Sequence, residues 1–299
     1  MLEDKEGRWA LIVHGGAKPY KASEDRDNRD GVRQALEAGR KILAQGGSAL
    51  DATEAAVRVM EDLPVFNASN GAALNERGEI ELSAAMMDGR DLRIGAIAYV
   101  QTLKHPVSVA RALLPEKWVL LVGEGAEKFA REKGAEFVPM ESMITAESEK
   151  EFAESRDTIG AVALDMAGNI AAASATGGLS GAAVGRVSDT AMPGCGYYAD
   201  NHIGAVAFSG DGETIARLAL AARVMASLED GEDPGHAIGK SIAKLPGTGG
   251  AGADGGGIAI RKDGRIGWAH NSPMFAVAFV TSEMEEPEVY LKKDEERSG

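Results

Sequence analysis

Apolar residues recur along the chain with two different periods, which predict strands and helices in turn. Trp9–Val13 is a short apolar run that leads into a glycine turn, as a buried strand does. Val32–Gln45 repeats its apolar residues at helical spacing and stops at a pair of glycines, and Ser48 then opens a second helix. Further helices are predicted at Val107–Leu114, Ala126–Glu132, Thr214–Leu228 and His236–Lys244.

Three segments carry β-forming runs on both sides of a turn that contains glycine. These strand–turn–strand patterns are Ala72–Leu82, Gly160–Ser174 and Gly257–His270, and Gly95–Val100 is a further strand candidate. The helices and hairpins do not alternate strictly as β-α-β units. We therefore expect antiparallel sheets with helices packed outside them, and not a doubly wound parallel sheet.

One stretch lacks any clear periodicity. Val138–Asp157 is rich in Glu, Ser and Lys, which predicts an exposed and mobile segment. Directly after it, Thr158–Asp165 has the pattern of a buried strand. A mobile acidic linker is thus expected to run into a core strand whose first residue is Thr158.

Composition and charge narrow the possible functions. The chain has 299 residues, of which 44% are hydrophobic, and this is typical of a globular protein. The formal net charge of -14 disfavours nucleic acid and anionic membranes as partners, because both require a positive surface. We expect a cytoplasmic protein without a signal peptide for three reasons. The chain has a single cysteine, Cys195, its first residues, Met1–Arg8, are charged, and it has no apolar run long enough to cross a membrane.

Several familiar catalytic motifs are missing from the sequence. It has no HExxH motif, no paired Cys or His spacing for zinc, no P-loop and no nucleophile elbow, and its five histidines are scattered. What remains is a dense polar region from Asp157 to Glu213. Its conspicuous groups are Thr158, Thr176-Gly177-Gly178, Gly185–Asp189, Tyr198–Asn201 and Ser209–Glu213.

Taken together and in order, these groups resemble the plant-type L-asparaginase/isoaspartyl peptidase family of N-terminal-nucleophile hydrolases. That family carries a TVGAVALD strand, a GN turn, and then STGG, GRVGD, YAD and TGxGE, and the chain has a version of each. The first half resembles the family as well. The matching groups there are His14–Ala17, Phe66–Ala68, Met87–Gly89 and Gly95–Ala98. Gly256–Ala259 and the region of Asn271 and Met274 extend the resemblance almost to the end.

The resemblance implies a fold and a maturation step. The fold would be a four-layer αββα sandwich, two antiparallel sheets between helical layers, formed by a single domain of residues 1–299. Cleavage between Asp157 and Thr158 would divide it into an α subunit, 1–157, with 138–157 as its mobile linker, and a β subunit, 158–299. This cleavage would free the α-amine of Thr158, which can then act as the base for its own hydroxyl. A free α-amine has a reference pKa of about 7.7–8.0, so a useful fraction is neutral near pH 7.

The resemblance also assigns the reacting groups. Thr158 would be the nucleophile, and Thr176 would hydrogen-bond it. The hydroxyl of Ser209 and the N–H of Gly210 would form the oxyanion hole and so contact the substrate. Asn67 would support the site from behind.

Substrate binding would fall to residues of opposite charge. Arg186 would bind the substrate's α-carboxylate, which suits its planar guanidinium. Asp189 would hold the α-ammonium, with help from the Gly212 carbonyl. The expected reaction is hydrolysis of the side-chain amide of L-asparagine, of β-aspartyl (isoaspartyl) dipeptides, or of both, through an acyl-enzyme on Thr158.

The resemblance implies no cofactor for the chemistry, but a structural sodium ion is expected. In relatives the loop Met60–Asn70 binds sodium through backbone carbonyls. The carbonyls in this chain would be those of Met60, Glu61, Leu63, Phe66, Ala68 and Asn70. A homodimer of cleaved α/β pairs is also expected.

The chain departs from the family pattern at four positions, and two alternatives stay open. Asp157 stands where asparaginases commonly have Gly, Ser209 replaces Thr, Ser188 replaces Gly and Ala175 replaces Ser. Together with Pro193-Gly194, the Asp157-Thr158 pair favours a glycosylasparaginase-like amidase. The other alternative is an uncleaved, non-catalytic protein that binds aspartate-like ligands.

Overall fold

Twelve strands and eight α-helices are found in the described part of the chain. The computed structural model describes residues 7–145, 156–250 and 252–297. The strands are β1 (Ala10–Lys18), β2 (Leu82–Asp88), β3 (Arg93–Val100), β4 (Leu120–Val122), β5 (Arg156–Leu164), β6 (Ile170–Leu179), β7 (Tyr197–Asp200), β8 (Gly204–Gly210), β9 (Gly255–Arg261), β10 (Ile266–His270), β11 (Met274–Thr281) and β12 (Glu288–Tyr290). The helices are α1 (Asp25–Ala44), α2 (Ala49–Asp62), α3 (Pro106–Leu113), α4 (Gly123–Glu132), α5 (Gly212–Leu218), α6 (Leu220–Glu229), α7 (Pro234–Ile242) and α8 (Leu245–Gly249). Short 3₁₀ helices cover Ala22–Glu24, Met140–Met143, Asp189–Ala191 and Lys293–Arg297.

The strands form two sheets. The larger has the order β12-β11-β1-β5-β6-β2-β3-β4, and the smaller has the order β10-β9-β8-β7. All the neighbouring strands pair antiparallel except β3 and β4, which pair parallel. Both sheets place their longest strands centrally, and the candidate residues Thr158, Thr176 and Ser209 lie on these strands.

Alternation along the strands separates three hydrophobic cores, and these define four layers. In β1, Leu11 and Val13 face helices α1–α4, whereas Ile12 faces the small sheet. In β8, Val206 and Phe208 face helices α5–α8, whereas the alanines between and before them face the large sheet. The layers are therefore helix, large sheet, small sheet and helix, which confirms the predicted αββα sandwich.

Most of the predicted elements are confirmed, with small shifts at their ends. Ser48 caps α2 as expected, since its Oγ accepts the N–H of Asp51 at 3.1 Å. The hairpins predicted at Gly160–Ser174 and Gly257–His270 are β5–β6 and β9–β10. The turn predicted after Trp9–Val13 is instead a bulge inside β1, which continues to Lys18.

Two predicted elements are wrong. Ala72–Leu82 is a turn with a single bridge between Leu74 and Ile80, and the full strand begins only at Leu82. The helix predicted at Thr214–Leu228 is two helices, because Ala219 between them has a left-handed backbone with φ of 48°. The chain changes direction at Ala219 and a second helix begins. The continuous apolar spacing of the sequence did not reveal this break.

Only part of the predicted mobile linker falls within the described residues. In its first residues, the 3₁₀ helix Met140–Met143 buries Met143 in the core beside α2, and the carbonyl of Met143 accepts the N–H of Gly71 at 3.0 Å. Residues 146–155 lie outside the described part. Among the described helices, none combines the length and the apolar character that crossing a membrane requires.

Candidate active site

Strand alternation places three candidate residues in the same space between the two sheets. Thr158 lies on the face of β5 that also carries Val162, and Thr176 lies directly opposite it on β6. Ser209 lies on the β8 face that points back toward the large sheet, two residues after Ala207. All three side chains are buried. The fold thus brings together residues that are 51 positions apart in the sequence.

The backbone nitrogen and the side-chain oxygen of Thr158 each have a defined partner. Its backbone N–H donates to Ser209 Oγ at 3.1 Å, and its Oγ1 lies 3.0 Å from Thr190 Oγ1. Ser209 Oγ also accepts the N–H of Ala17 at 3.0 Å, from the part of β1 that follows the bulge. Because Ser209 Oγ accepts two N–H groups, its own hydrogen remains available to a third partner.

Strand pairing is irregular at the predicted cleavage position. Arg156 pairs with Leu179 and Thr158 pairs with Thr176, so the register shifts across Asp157. The opposing residues are two glycines, and the second, Gly178, has φ of 85°. An irregularity of this kind locally disrupts the ladder and increases the twist of the strand.

Asn67 forms hydrogen bonds with the two glycines opposite this irregularity. Its side-chain Nδ2 donates to the carbonyl of Gly178 at 2.8 Å, and its backbone carbonyl accepts the N–H of Gly177 at 2.8 Å. Its Oδ1 accepts the N–H of Ala73 at 2.7 Å. A Cβ at Gly177 would collide with Asn67 Oδ1, so glycine is required there. Asn67 therefore fixes the two glycines that directly follow Thr176.

Arg186 is oriented by an ion pair that the sequence analysis did not predict. Its Nε and Nη2 donate to the two carboxylate oxygens of Glu213, each at 2.8 Å. This pair occupies one edge of the guanidinium and leaves the Nη1 side available to another carboxylate. Gly212 lies beside it, and a Cβ there would come within 2.6 Å of Asp189 Oδ1 and 3.1 Å of Arg186 Nη2.

Asp189 is a buried carboxyl with an unused oxygen. It is only 2% exposed, and its Oδ2 has no hydrogen-bond partner among the described residues. Burial raises the pKa of Asp189 from 3.8 to about 7, although the nearby Arg186 guanidinium lowers it. Asp189 lines a cavity, and its Oδ1 lies toward Gly212 on the cavity wall, so the carboxyl is suited to bind a cationic group there.

These residues line one small cavity of about 60 Å³. Its walls include Thr158, Thr176, Arg186, Asp189, Gly210 and Gly212, together with Gly178, Leu179, Ser188, Asp211 and Glu213. Gly210 has φ of 143°, and a Cβ there would collide with the carbonyl of Asp254. The cavity therefore combines a hydroxyl nucleophile candidate, a guanidinium, a carboxyl and exposed backbone.

Histidine is not among the described residues that line the cavity. His14 lies behind it, fully buried and stacked on Phe275 with ring centroids 5.1 Å apart. Burial lowers the pKa of His14 to about 3, so its ring is neutral near pH 7. Within the described ranges, no cluster of three or more His, Cys, Asp or Glu side chains could hold a metal ion.

Sequence comparison identifies the family of this chain. A family model described as Asparaginase matches residues 7–157 and 148–289, which is most of the chain. The chain belongs to this asparaginase family. Proteins named isoaspartyl peptidase/L-asparaginase are similar to it: the one from Xenopus laevis is 42% identical over 241 residues, which cover 76% of this chain and 78% of the relative. Those from Danio rerio and Homo sapiens are 41% and 39% identical and cover 79% of this chain, and 81% and 82% of their own lengths.

The sequence analysis missed two residues that contact the candidate site residues. Glu213 ends the last quoted motif, but nothing in its position shows that it pairs with a residue 27 positions away. Thr190 directly follows Asp189, and its Oγ1 lies 3.0 Å from Thr158 Oγ1. The only hint in the sequence was that Thr190, a hydroxyl residue, stands next to Asp189. The direction of the Thr190 side chain depends on the 3₁₀ helix Asp189–Ala191, which the sequence did not predict.

The raised pKa of Asp189 predicts a pH-dependent stability in this asparaginase-family chain. A carboxyl with a folded-state pKa near 7 and an unfolded value near 3.8 binds more protons when folded. Its stabilising contribution is complete below pH 3.8 and is lost as the pH rises through 7. Replacing Asp189→Asn should therefore raise the free energy of unfolding, relative to the parent, more at pH 8 than at pH 4.

Denaturant unfolding at pH 4, 6 and 8 measures this difference. Both proteins should carry Thr158→Ala, so that chain cleavage cannot contribute. A difference that stays constant from pH 4 to pH 8 would show that folding does not raise the pKa of Asp189.

Proposed function

We propose that this chain is an autocleaving amidohydrolase that uses Thr158 as its nucleophile. Its substrates are L-asparagine and β-aspartyl dipeptides, both cleaved at the side-chain amide carbonyl through an acyl-enzyme. The observation that carries the proposal is the cavity in which the Thr158 hydroxyl lies with a guanidinium and an unpaired buried carboxyl. The names of the relatives support the same substrates.

Maturation begins with the hydroxyl of Thr158 in the intact chain. Its Oγ1 attacks the carbonyl carbon of Asp157, the bond from that carbon to the Thr158 nitrogen breaks, and an ester replaces the amide. Water then hydrolyses the ester and leaves a carboxylate on Asp157 and a free α-amine on Thr158. The pairing irregularity at Asp157 favours this step, because the peptide bond there is not fixed by a regular ladder.

Turnover repeats the attack on a substrate. The α-amine takes the proton from Oγ1, and Oγ1 bonds to the amide carbonyl carbon. The N–H of Gly210 and the hydroxyl of Ser209 stabilise the oxyanion, which suits the free hydrogen of Ser209. The leaving ammonia or amine takes the proton back from the α-ammonium, and water then hydrolyses the ester to release aspartate.

Charge complementarity selects the substrate. The α-carboxylate binds the free edge of the Arg186 guanidinium, and the α-ammonium binds the Asp189 carboxylate and the Gly212 carbonyl. In the free enzyme Asp189 carries a proton part of the time, and the approaching ammonium favours its ionised form. A glycosylated asparagine presents the same two groups, so glycosylasparaginase activity is the alternative, and Asp157 is the feature that favours it.

We propose that the loop after α2 holds a sodium ion. A side chain at Gly71 would lie 2.5 Å from the Pro64 carbonyl oxygen and 2.9 Å from that of Phe66, so backbone oxygens converge there. The carbonyls of Met60, Glu61, Leu63 and Phe66 each accept one N–H and keep a second lone pair for a hard cation. Unfolding temperatures in sodium chloride and choline chloride at equal ionic strength test this, and equal values would exclude the site.

We also propose that two copies associate through the edge of the large sheet. The edge strand β4 and the two residues before it expose Trp118, Val119, Leu120 and Val122. An exposed apolar edge strand is a ready surface for another chain. Sedimentation equilibrium measures the mass in solution, and a monomer at all concentrations would exclude this association.

Replacing the nucleophile tests the central proposal. Thr158→Ala removes the attacking oxygen and should leave one intact chain without amidase activity. Thr158→Ser keeps the oxygen but loses the methyl group that restricts its rotamers, so it should cleave slowly and turn over more slowly than the parent. Mass spectrometry measures cleavage, and release of ammonia or amine measures hydrolysis.

The controls and substrates make this test specific. Thr53→Val deletes a buried threonine hydroxyl on α2, far along the chain from the cavity, and should cleave and turn over normally. L-asparagine, a β-aspartyl dipeptide and a glycosylated asparagine are assayed in parallel. Parental rates in uncleaved Thr158→Ala would mean that another residue is the nucleophile, and preference for the glycosylated substrate would favour the alternative.

Arg186→Lys tests the assignment of the α-carboxylate site. Lysine keeps the charge but has no planar edge, so it cannot bind Glu213 and a substrate carboxylate in parallel pairs. We expect kcat/KM to fall by about 10² or more while chain cleavage continues, because cleavage involves no free α-carboxylate. An unchanged kcat/KM would remove Arg186 from the substrate site.

A further inference from the structure

Three hydroxyl groups form a chain that ends at the oxygen of Thr158. Ser188 Oγ donates to Thr190 Oγ1 at 3.2 Å, and Thr190 Oγ1 lies 3.0 Å from Thr158 Oγ1. Thr190 is completely buried, whereas Ser188 is 7% exposed and lines the cavity. The proposed function assigns no role to Thr190 or to the Ser188 hydroxyl.

The direction of these hydrogen bonds follows from the number of hydrogens. Each hydroxyl has one hydrogen to donate. Since Thr190 Oγ1 accepts the hydrogen of Ser188, its own hydrogen is free to point at Thr158 Oγ1. The hydrogen of Thr158 is then not needed for this contact and remains available to the base.

The local backbone fixes this geometry. Ser188 caps the 3₁₀ helix Asp189–Ala191, and its Oγ accepts the N–H of Thr190 at 3.4 Å. The two hydroxyls are thus held against each other by their own short helix. The same helix carries Asp189, so the nucleophile contact and the proposed ammonium site are set by one rigid turn.

We propose that Thr190 orients the nucleophile and donates a hydrogen bond to Thr158 Oγ1, and that Ser188 strengthens this donor. The inference rests on the proposed function and adds a positioning residue to it. When Oγ1 gives its proton to the α-amine and bonds to the acyl carbon, negative charge develops on Oγ1, and the Thr190 hydrogen bond stabilises it. Thr190 keeps its proton throughout.

The same contact acts in the second half of the reaction. When water hydrolyses the ester, Oγ1 becomes the leaving group and again carries developing charge. A donor that is itself an acceptor is polarised by its partner, and burial strengthens the effect. Ser188 stands where the family pattern has Gly, so this extra hydroxyl distinguishes the present chain from that pattern.

The first experiment separates the hydroxyl of Thr190 from its volume. Thr190→Val keeps the shape and removes the donor, and we expect kcat to fall about 10- to 100-fold with KM within about twofold. Thr190→Ser restores the hydroxyl and should recover most of the rate. Thr53→Val is the matched control for loss of a buried threonine hydroxyl elsewhere.

The second experiment concerns Ser188. Ser188→Ala removes the polarising hydroxyl but leaves Thr190 in place, so kcat should fall only about two- to fivefold. In a Thr190→Val background, Ser188→Ala should have no further effect on kcat, because the chain is already broken. Inhibition by L-aspartate is measured for every variant and should stay unchanged, since the chain does not contact the substrate's charged groups.

The results that would overturn the role of Thr190 differ from the result that would overturn the proposed function. Rates of Thr190→Val within twofold of the parent would overturn the inference, as would Thr190→Ser being as slow as Thr190→Val. Additive effects of the Ser188 and Thr190 substitutions would also overturn the coupled chain. Parental turnover by uncleaved Thr158→Ala would instead overturn the proposed function itself.

Discussion

The hydrogen bond from the Thr158 N–H to Ser209 Oγ joins the two sheets at the point where the candidate chemistry lies. It requires β5 and β8 to approach closely, and this is possible because their facing positions carry small side chains such as Gly160 and Ala207. A Cβ at Gly160 would lie 3.0 Å from Ala207 Cβ and would collide with the ring of His14. Since the interior is closely packed, a larger side chain there would separate the sheets and move Ser209 away from Thr158.

Three charged side chains surround this contact, and each is more exposed to solvent than the one before. Asp189 is fully buried with a raised pKa, Arg186 has a side chain that is 17% exposed, and Glu213 is 48% exposed. Glu213 holds the guanidinium in place from the solvent side, while Asp189 lines the cavity from its buried side. The result is a small space with one positive and one negative group on its walls, which matches the two ends of an α-amino acid.

Glycine makes this layered site possible at three positions around it. Gly177 lies against Asn67, Gly210 against the carbonyl of Asp254, and Gly212 against Asp189 and Arg186, each at a distance that a side chain would not tolerate. The glycines allow backbone to form the cavity wall, where N–H and carbonyl groups can meet a substrate directly. This explains why polar residues and glycines alternate so densely between Thr176 and Glu213.

The sequence by itself, through its resemblance to a family, predicted the layered αββα architecture and most of the residues that the fold brings to the cavity. A glycine-containing turn between two β-forming runs was sufficient to predict the β5–β6 hairpin, although β6, like β2, is buried on both faces and gives no alternating signal. The motifs likewise selected Thr158, Arg186 and Asp189 through their order along the chain. Only the tertiary structure decided that Thr190 contacts Thr158 and that Glu213 orients Arg186. Side-chain direction in a short turn and pairing across 27 residues depend on how separate elements pack, and a linear pattern of residue types carries no record of that packing.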